Sequence, residues 1–403
     1  MKCNSKYVNL KPFLVCMLAM FICFGSCQKS DDEDIVPKKE EVSVTLSLKL
    51  PTLPSGLKTY TINEVDENLI EEVDVLVFKK DIDGKERFSY RATGIVVPLP
   101  PPNNDKAELT ASLRRDEDTG NEYRLVILVN ARQQLDTYGI NLGETKESLQ
   151  KHLIYEHSDK WQAKIEGGPF TPLPMWGETD LISGMNVPMI HTEEIDLLRS
   201  IVRVDVVADQ LIGIFTLTEV HVYNSKSSGL IMPDKNKFEN NEPSLPVSLG
   251  LPNNSTLKYE VSGNKLEREI YLFEATAGTA NPDPTATALV IGGYYNADVS
   301  TPCFYRIDFK DAANNLIPLL RNHHYVINIT GADNSGSPED HEDDAFEQPS
   351  LPNLFLYWGG SGTRPNYFFE RRLIKPPSQR RTEIVSTGGR GINYTITAID
   401  ETH

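Results

Sequence analysis

The side chains able to do chemistry are few, and their spacing assigns little. Eight histidines show no zinc-type spacing, and His323-His324 are adjacent, so in a strand they point to opposite faces. The acidic run Glu339, Asp340, Glu342, Asp343, Asp344 offers oxygen ligands of the kind Ca²⁺ takes. It lacks the EF-hand glycine and spacing, and it reads as a solvated loop. Gly388-Gly389-Arg390-Gly391 has neither the spacing nor the strand–turn–helix setting of a dinucleotide fingerprint. Gly359-Gly360-Ser361-Gly362-Thr363 misses a nucleophile elbow by one residue. A carboxylate pair for glycoside hydrolysis would meet only in space, and no motif nominates one. Of the five cysteines, Cys303 sits in Thr-Pro-Cys-Phe-Tyr with no base or basic neighbour, the setting of a small buried hydrophobe rather than a nucleophile. The chain reads as a non-enzyme, with no cofactor and no metal.

Cys27 is the residue whose neighbours do specify a reaction. Lys2, Lys6 and Lys11 precede residues 13–26, FLVCMLAMFICFGS, which gives the charged start and short apolar core of a secretory signal peptide. The run is too short for a comfortable transmembrane helix, which needs about 20 apolar residues. Its end, Phe24-Gly25-Ser26-Cys27, resembles a bacterial lipobox, with Phe24 where Leu is more usual. That resemblance implies a cut between Ser26 and Cys27 and acylation of the Cys27 thiol by chains such as palmitate. An ordinary signal peptide that contains cysteines is the alternative. The next residues, Gln28-Lys29-Ser30-Asp31-Asp32-Glu33-Asp34, resemble the signal that sends Bacteroidetes lipoproteins to the outer face of the outer membrane. They also read as a solvated tether, spanning residues 27–41.

These residues hang on a body of strands. The chain has 403 residues, a formal net charge of −17, 39% hydrophobic and 24% charged residues. That suits a soluble multidomain protein and argues against a nucleic-acid partner, which needs a basic face. Loss of residues 1–26 removes three lysines and shifts the charge to about −20. In residues 42–50, VSVTLSLKL, Val42, Val44, Leu46, Leu48 and Leu50 alternate with polar residues, as in a half-buried strand. Further strand-like runs lie at 73–78, 123–130, 200–208, 215–223, 271–277, 287–293, 304–309 and 325–330, separated by turn residues. One short helix is expected over 144–156, with Leu149, Leu153 and Ile154 on one side. Pro98-Leu99-Pro100-Pro101-Pro102 reads as a stiff loop. Many strands at fairly even spacing give an all-β class built of β-sandwiches.

Several segments, taken in order, resemble the fimbrillin family, the type V pilins of Bacteroidales. They are the opening strand with the following proline, residues 69–78 (LIEEVDVLVF), residues 123–131 (YRLVILVNA) and the short helix. Then come Pro174-Met175-Trp176-Gly177-Glu178, residues 197–206 (LLRSIVRVDV), residues 305–309 and 320–325, and a closing strand at 354–358. The resemblance spans residues 42–358. It implies two tandem transthyretin-like β-sandwiches with a few short helices, here 42–190 and 191–360. A basic, strand-containing tail over 361–403 follows.

The resemblance also implies an assembly route. The first strand, with Val42, Val44, Leu46, Leu48 and Leu50 inward, would be removed by a protease, and a strand from another subunit would take its place. Open strand edges template such pairing. Head-to-tail contacts of this kind do not close, so a filament grows. Family members usually carry Arg at the cut. Here only Lys58 stands between the strand and Leu69, which makes Lys58–Thr59 the candidate scissile bond and an uncut surface lysine the alternative. In the tail, Ile384, Val385, Tyr394, Ile396 and Ile399 form the candidate donor segment; a hairpin covering the second sandwich is the other reading. The basic cluster Arg364, Arg371, Arg372, Lys375, Arg380 and Arg381 suits an acidic surface.

The expected protein is a lipid-anchored, cell-surface fimbrial subunit of the outer membrane. Its partners would be other fimbrial subunits, in a homo- or hetero-polymer, with a host or bacterial surface ligand for adhesion. The alternatives are a monomeric surface adhesin or glycan-binding lipoprotein, or an uncleaved basal anchor.

Overall fold

The computed structural model describes residues 40–51, 67–100, 103, 105–162, 170–208, 214–246, 255–295, 298–299, 302–310, 315–332, 342–347, 369–373, 381–385, 387–389 and 392–400. Ser26 and Cys27, the tether up to residue 39, Lys58 and Thr59, the 354–358 segment, and Arg364, Lys375 and Arg380 lie outside those residues. Residues 1–40 and 41–403 are separate units, and every described helix and strand belongs to the second.

The first sandwich is a single ribbon of strands folded into two layers. In chain order it contains β1 (Glu41–Lys49), β2 (Val73–Lys80), β3 (Glu86–Pro98), β4 (Lys106–Arg114) and β5 (Glu122–Val129). Helices α1 (Arg132–Tyr138) and α2 (Lys146–His152) follow. Then come β6 (Ile154–Glu156), β7 (Met175–Glu178), β8 (Ile182–Ser183), β9 (Met189–Asp196) and β10 (Leu198–Arg199). The ribbon runs β10-β7-β5-β2-β3-β4-β1-β9, with β8 beside β5. It folds over at β3, which pairs with β2 up to Thr93 and with β4 from Gly94 onward. A Cβ on Gly94 would stand 2.2 Å from Leu109 Cδ1 and 3.4 Å from Val73 Cγ1, so a glycine is needed where the strand passes between layers.

Between the layers, Val44, Leu46 and Leu48 of β1 and Leu109 and Leu113 of β4 meet Val73, Val75 and Val77 of β2 and Leu125, Ile127 and Val129 of β5. The other faces of β2 and β5 are apolar too. Leu76, Phe78, Val126 and Leu128 lie under Leu135 of α1 and Leu149 of α2. Burial on both faces is why these strands read as continuous apolar runs instead of alternating. The Thr145 hydroxyl caps α2 by accepting from Ser148 N, and Lys151 and His152 suit its C-terminal end. The helix stops at His152, short of the expected 156. Leu153 turns extended, and the next three residues form β6.

The second sandwich contains β11 (Val202–Val207), β12 (Phe215–Ser225), β13 (Ser228–Leu230), α3 (Lys235–Glu239), β14 (Ser255–Glu260), β15 (Lys265–Leu272), β16 (Ala288–Tyr295), β17 (Pro302–Asp308), β18 (His323–Ala332) and α4 (Glu342–Glu347). The tail adds β19 (Phe369–Leu373), β20 (Arg381–Val385), β21 (Thr387–Gly389) and β22 (Ile392–Asp400). One layer is β15-β11-β18-β22-β19-β20 with β21 beside β22, and the other is β14-β12-β16-β17. β13 pairs separately with β6. The core between the layers includes Val204, Phe215, Val220, Ile270, Ile291, Tyr305 and Ile327. The strand expected at 271–277 is instead β15, which ends at Leu272. Beyond it, Phe273 packs with Trp161, Leu173, Ile201 and Tyr271 in a cluster joining the two sandwiches.

The architecture is all-β, as expected: tandem β-sandwiches with a few short helices. β9 and β10 belong to the first ribbon, so its strands reach Arg199, beyond the expected boundary at 190. The tail strands join the second sandwich's sheet.

Candidate functional site

The chemistry of a strand-exchange site is backbone pairing plus side-chain pockets, so the site begins with β1. It is flanked on both edges. It pairs antiparallel with β4 from Glu41↔Arg114 to Lys49↔Lys106, and parallel with β9 from Val44↔Met189 to Lys49↔Asp196, with a bulge after Leu46. Leu50 N donates to Asp105 O at 2.8 Å, and Leu197 N donates to Lys49 O at 2.9 Å, which fixes the strand's far end. Val44, Leu46 and Leu48 are 0% exposed, Val42 4% and Leu50 7%. At about 2 kcal/mol per buried aliphatic side chain, the five contribute a gross ~10 kcal/mol, an upper figure. Outside the sandwich, Glu194 of β9 reaches across β1 to pair with Lys106 of β4, and it lies 4.0 Å from Lys49 of β1 itself.

The chain leaves β1 through Pro51 and returns at Glu67. Asn68 Nδ2 donates to Pro51 O at 3.0 Å, so the two ends of the 52–66 segment meet. Glu67 is 2% exposed, and its carboxylate enters a cationic socket on the second sandwich. Arg203 Nη1 of β11 donates to Oε1 at 2.9 Å, the Tyr271 hydroxyl of β15 at 2.7 Å, and Arg268 Nε at 3.3 Å; Arg199 Nη2 lies 3.7 Å from Oε2. Arg199 also donates to Asn68 Oδ1 at 2.7 Å. Burial alone would push the Glu67 carboxyl up, but Arg203, Arg199, the Tyr271 hydroxyl and Arg268 overcome it and hold the pKa down at about 2. Behind the socket, Asp205 takes two hydrogen bonds from Arg203 and one contact from His324 Nε2 at 2.8 Å. Burial opposes ionisation of Asp205 as well, yet Arg203 and His324 keep it below the usual carboxylate range.

The other residues singled out in the sequence have structural explanations. Pro174-Met175-Trp176-Gly177-Glu178 supplies β7. Met175 faces the first core, Trp176 faces the α1–α2 side, and Glu178 takes Lys146 Nζ of α2 at 2.9 Å. A Cβ on Gly177 would meet Ile195 Cγ2 at 2.9 Å and the Asp196 carbonyl at 3.0 Å, so glycine lets β9 pass close by. Cys303 is buried, with its thiol toward Gly293 O, and burial raises its pKa. His324 faces Asp205 while His323 Nδ1 contacts Arg321 O. Part of the acidic run corrects the solvated-loop reading: Glu342–Glu347 is α4, seated on the second sandwich. Phe346 stacks on Tyr223 at 4.2 Å, Arg306 lies 4.3 Å over Phe346, and Tyr223 OH donates to Asp343 at 2.7 Å. Among the described residues no group of three His, Cys, Asp or Glu side chains is placed to hold a metal ion, and no helix is long and apolar enough to cross a membrane.

The candidate donor residues sit in strands of this same chain. Ile384 and Val385 are in β20. Tyr394, Ile396 and Ile399 are in β22, opposite Ile329, Ile327 and His324 of β18. Sequence reasoning missed both walls of the groove, β4 and β9, and Glu67 with its arginines. The one signal for the latter was Arg203-x-Asp205, which places opposite charges on the same face of an otherwise aliphatic strand.

No family model matches the chain, and no curated protein matches it. Solved structures similar to it include fimbrial proteins and putative cell adhesion proteins. The tip fimbrial protein Mfa3 from Porphyromonas gingivalis, truncated at its C-terminus, is 11% identical with a TM-score of 0.45, over 72% of this chain and 95% of that one. A fimbrial assembly protein from Parabacteroides distasonis is 19% identical with a TM-score of 0.39, over 72% and 92%. The fimbrial anchor protein Mfa2 from Porphyromonas gingivalis is 12% identical with a TM-score of 0.32, over 75% and 93%.

Proposed function

We propose that this chain is a fimbrial structural subunit of the cell surface, exported as a lipoprotein through Cys27 and assembled by exchange of its first strand. The observation that carries the proposal is the seat of β1. It lies between β4 and β9 with alternate side chains buried, and the chain runs from it to the rest of the sandwich through the segment that contains Lys58–Thr59. A cut there turns β1 from a covalent part of the sandwich into a bound peptide. Its departure opens two strand edges and a row of apolar pockets, which together template a new strand. Glu67 and Asn68 hold the chain downstream of the cut. The strand-containing tail would be this subunit's contribution to a neighbouring subunit of another kind.

The sole basic residue of the 52–66 segment is a lysine, which favours a second reading if the protease requires arginine. The uncut chain would then keep its lipid and its first strand, as a basal anchor or a monomeric surface adhesin. Unheated surface extracts probed for this chain separate the two. A subunit gives an SDS-resistant ladder; a monomeric adhesin gives a single band, which would refute the assembly.

A further inference from the structure

We propose that the groove under β1 is filled, after exchange, by a strand from a different kind of chain, one with aliphatic side chains at four or more alternate positions. The C-terminal strands of a second copy of this chain do not fill it. The proposal rests on the strand-exchange reading given above and names the partner of that site.

The groove is shaped to aliphatic groups of Val and Leu size. Its three deepest positions, those of Val44, Leu46 and Leu48, are 0% exposed. Across the β4 ladder they face Ala111, Leu109 and Ala107 in turn, so Val44 and Leu48 fill the space two alanines leave. The pockets lie between two apolar layers, where Val73, Val75 and Val77 of β2 and Leu125, Ile127 and Val129 of β5 face them, so an inward hydroxyl or charge would be set among aliphatic side chains.

The longest tail strand, β22 (INYTITAID), does not match this pattern. In one phase it offers Ile392, Tyr394, Ile396, Ala398 and Asp400. Whenever four of these fill inward positions, in either chain direction, Tyr394 or Asp400 falls on the Val44, Leu46 or Leu48 site. A tyrosine there overfills the pocket and buries its hydroxyl, and an aspartate buries a charge. The other phase offers Asn393, Thr395, Thr397 and Ile399, three of them polar. β19 and β20 span five residues each. β19 offers Phe369, Arg371 and Leu373, or Glu370 and Arg372; β20 offers Arg381, Glu383 and Val385, or Thr382 and Ile384. A second observation agrees. β22 is already paired on both edges, with β18 over His323↔Asp400 to Ala332↔Ile392 and with β19 over Arg371↔Ala398 and Arg372↔Ile399.

The test uses the full chain with a site-specific protease sequence inserted in the 52–66 segment. After the cut, fluorescent peptides of residues 41–50 and 392–400 compete for the groove. A third peptide carries Tyr394→Leu, Ala398→Leu and Asp400→Leu. The expected result is entry of the 41–50 peptide, entry of the repaired peptide, and binding of the native 392–400 peptide at least about 100-fold weaker than 41–50. Native tail peptide binding within tenfold of 41–50 would overturn the proposal and leave strand exchange standing. Failure of both the 41–50 and the repaired peptides to enter would refute strand exchange, and the proposal with it.

Discussion

Replacing Glu67 by glutamine tests the socket that holds the chain downstream of the 52–66 segment. The side chain keeps its shape and loses its charge, while Arg199, Arg203 and Arg268 stay in place around it. Folding lowers the Glu67 pKa from an ordinary 4.5 to about 2. At 1.36 kcal/mol per pKa unit, the ionised form contributes about 3 kcal/mol, and at 2% exposure no solvent screening reduces it. Removing one partner of a buried ion pair costs a similar amount, about 3–5 kcal/mol. The sign follows from the depressed folded pKa. The stabilisation is fully present above about pH 4.5 and is lost as the pH falls toward about 2, where the native carboxyl protonates. Urea unfolding of wild type and Glu67→Gln at pH 7, 5, 4 and 3 should show a gap of about 3 kcal/mol at pH 7 that is unchanged at pH 5 and narrows below it. A gap under about 1 kcal/mol at pH 7, or one that does not change down to pH 3, would refute the reasoning.

Leu48→Ala removes a fully buried side chain opposite Ala107 and should cost about 2–5 kcal/mol in chemical denaturation. Gly94→Val places a Cβ against Leu109 where β3 changes layers and should lower stability by about 1–3 kcal/mol; a neutral result would mean the crossing is looser than described. The Cys303 thiol, buried and with its pKa raised by burial, should react with a thiol reagent only on unfolding, and rapid labelling of the folded chain would contradict its place in the core.

The parts of the fold legible in the sequence were those with one environment along their length. β1 alternates strictly because one face is core and the other solvent, and β2 and β5 read as apolar runs because both faces are covered. β3 went unread. It changes layers at Gly94, its residues are mostly half-exposed, and Ile95 and Val97 point outward, so no single period describes it. The helix over 144–156 was placed but overrun, since nothing local in Leu153-Ile154-Tyr155 announces that β13 will pair there. The strand that fills the groove, β1, was visible in the sequence; neither of its walls, β4 and β9, was. β9 was hidden in an irregular stretch whose strand character comes from its pairing with β1. Glu67 could not be read at all: its partners Arg203 and Tyr271 lie 136 and 204 residues away.

Strand exchange requires that β1 leave. Mass spectrometry of the mature N-terminus, on protein taken from the cell surface, decides it most directly. Strand exchange predicts a free amine at Thr59. A chain that begins only at acylated Cys27 would contradict it.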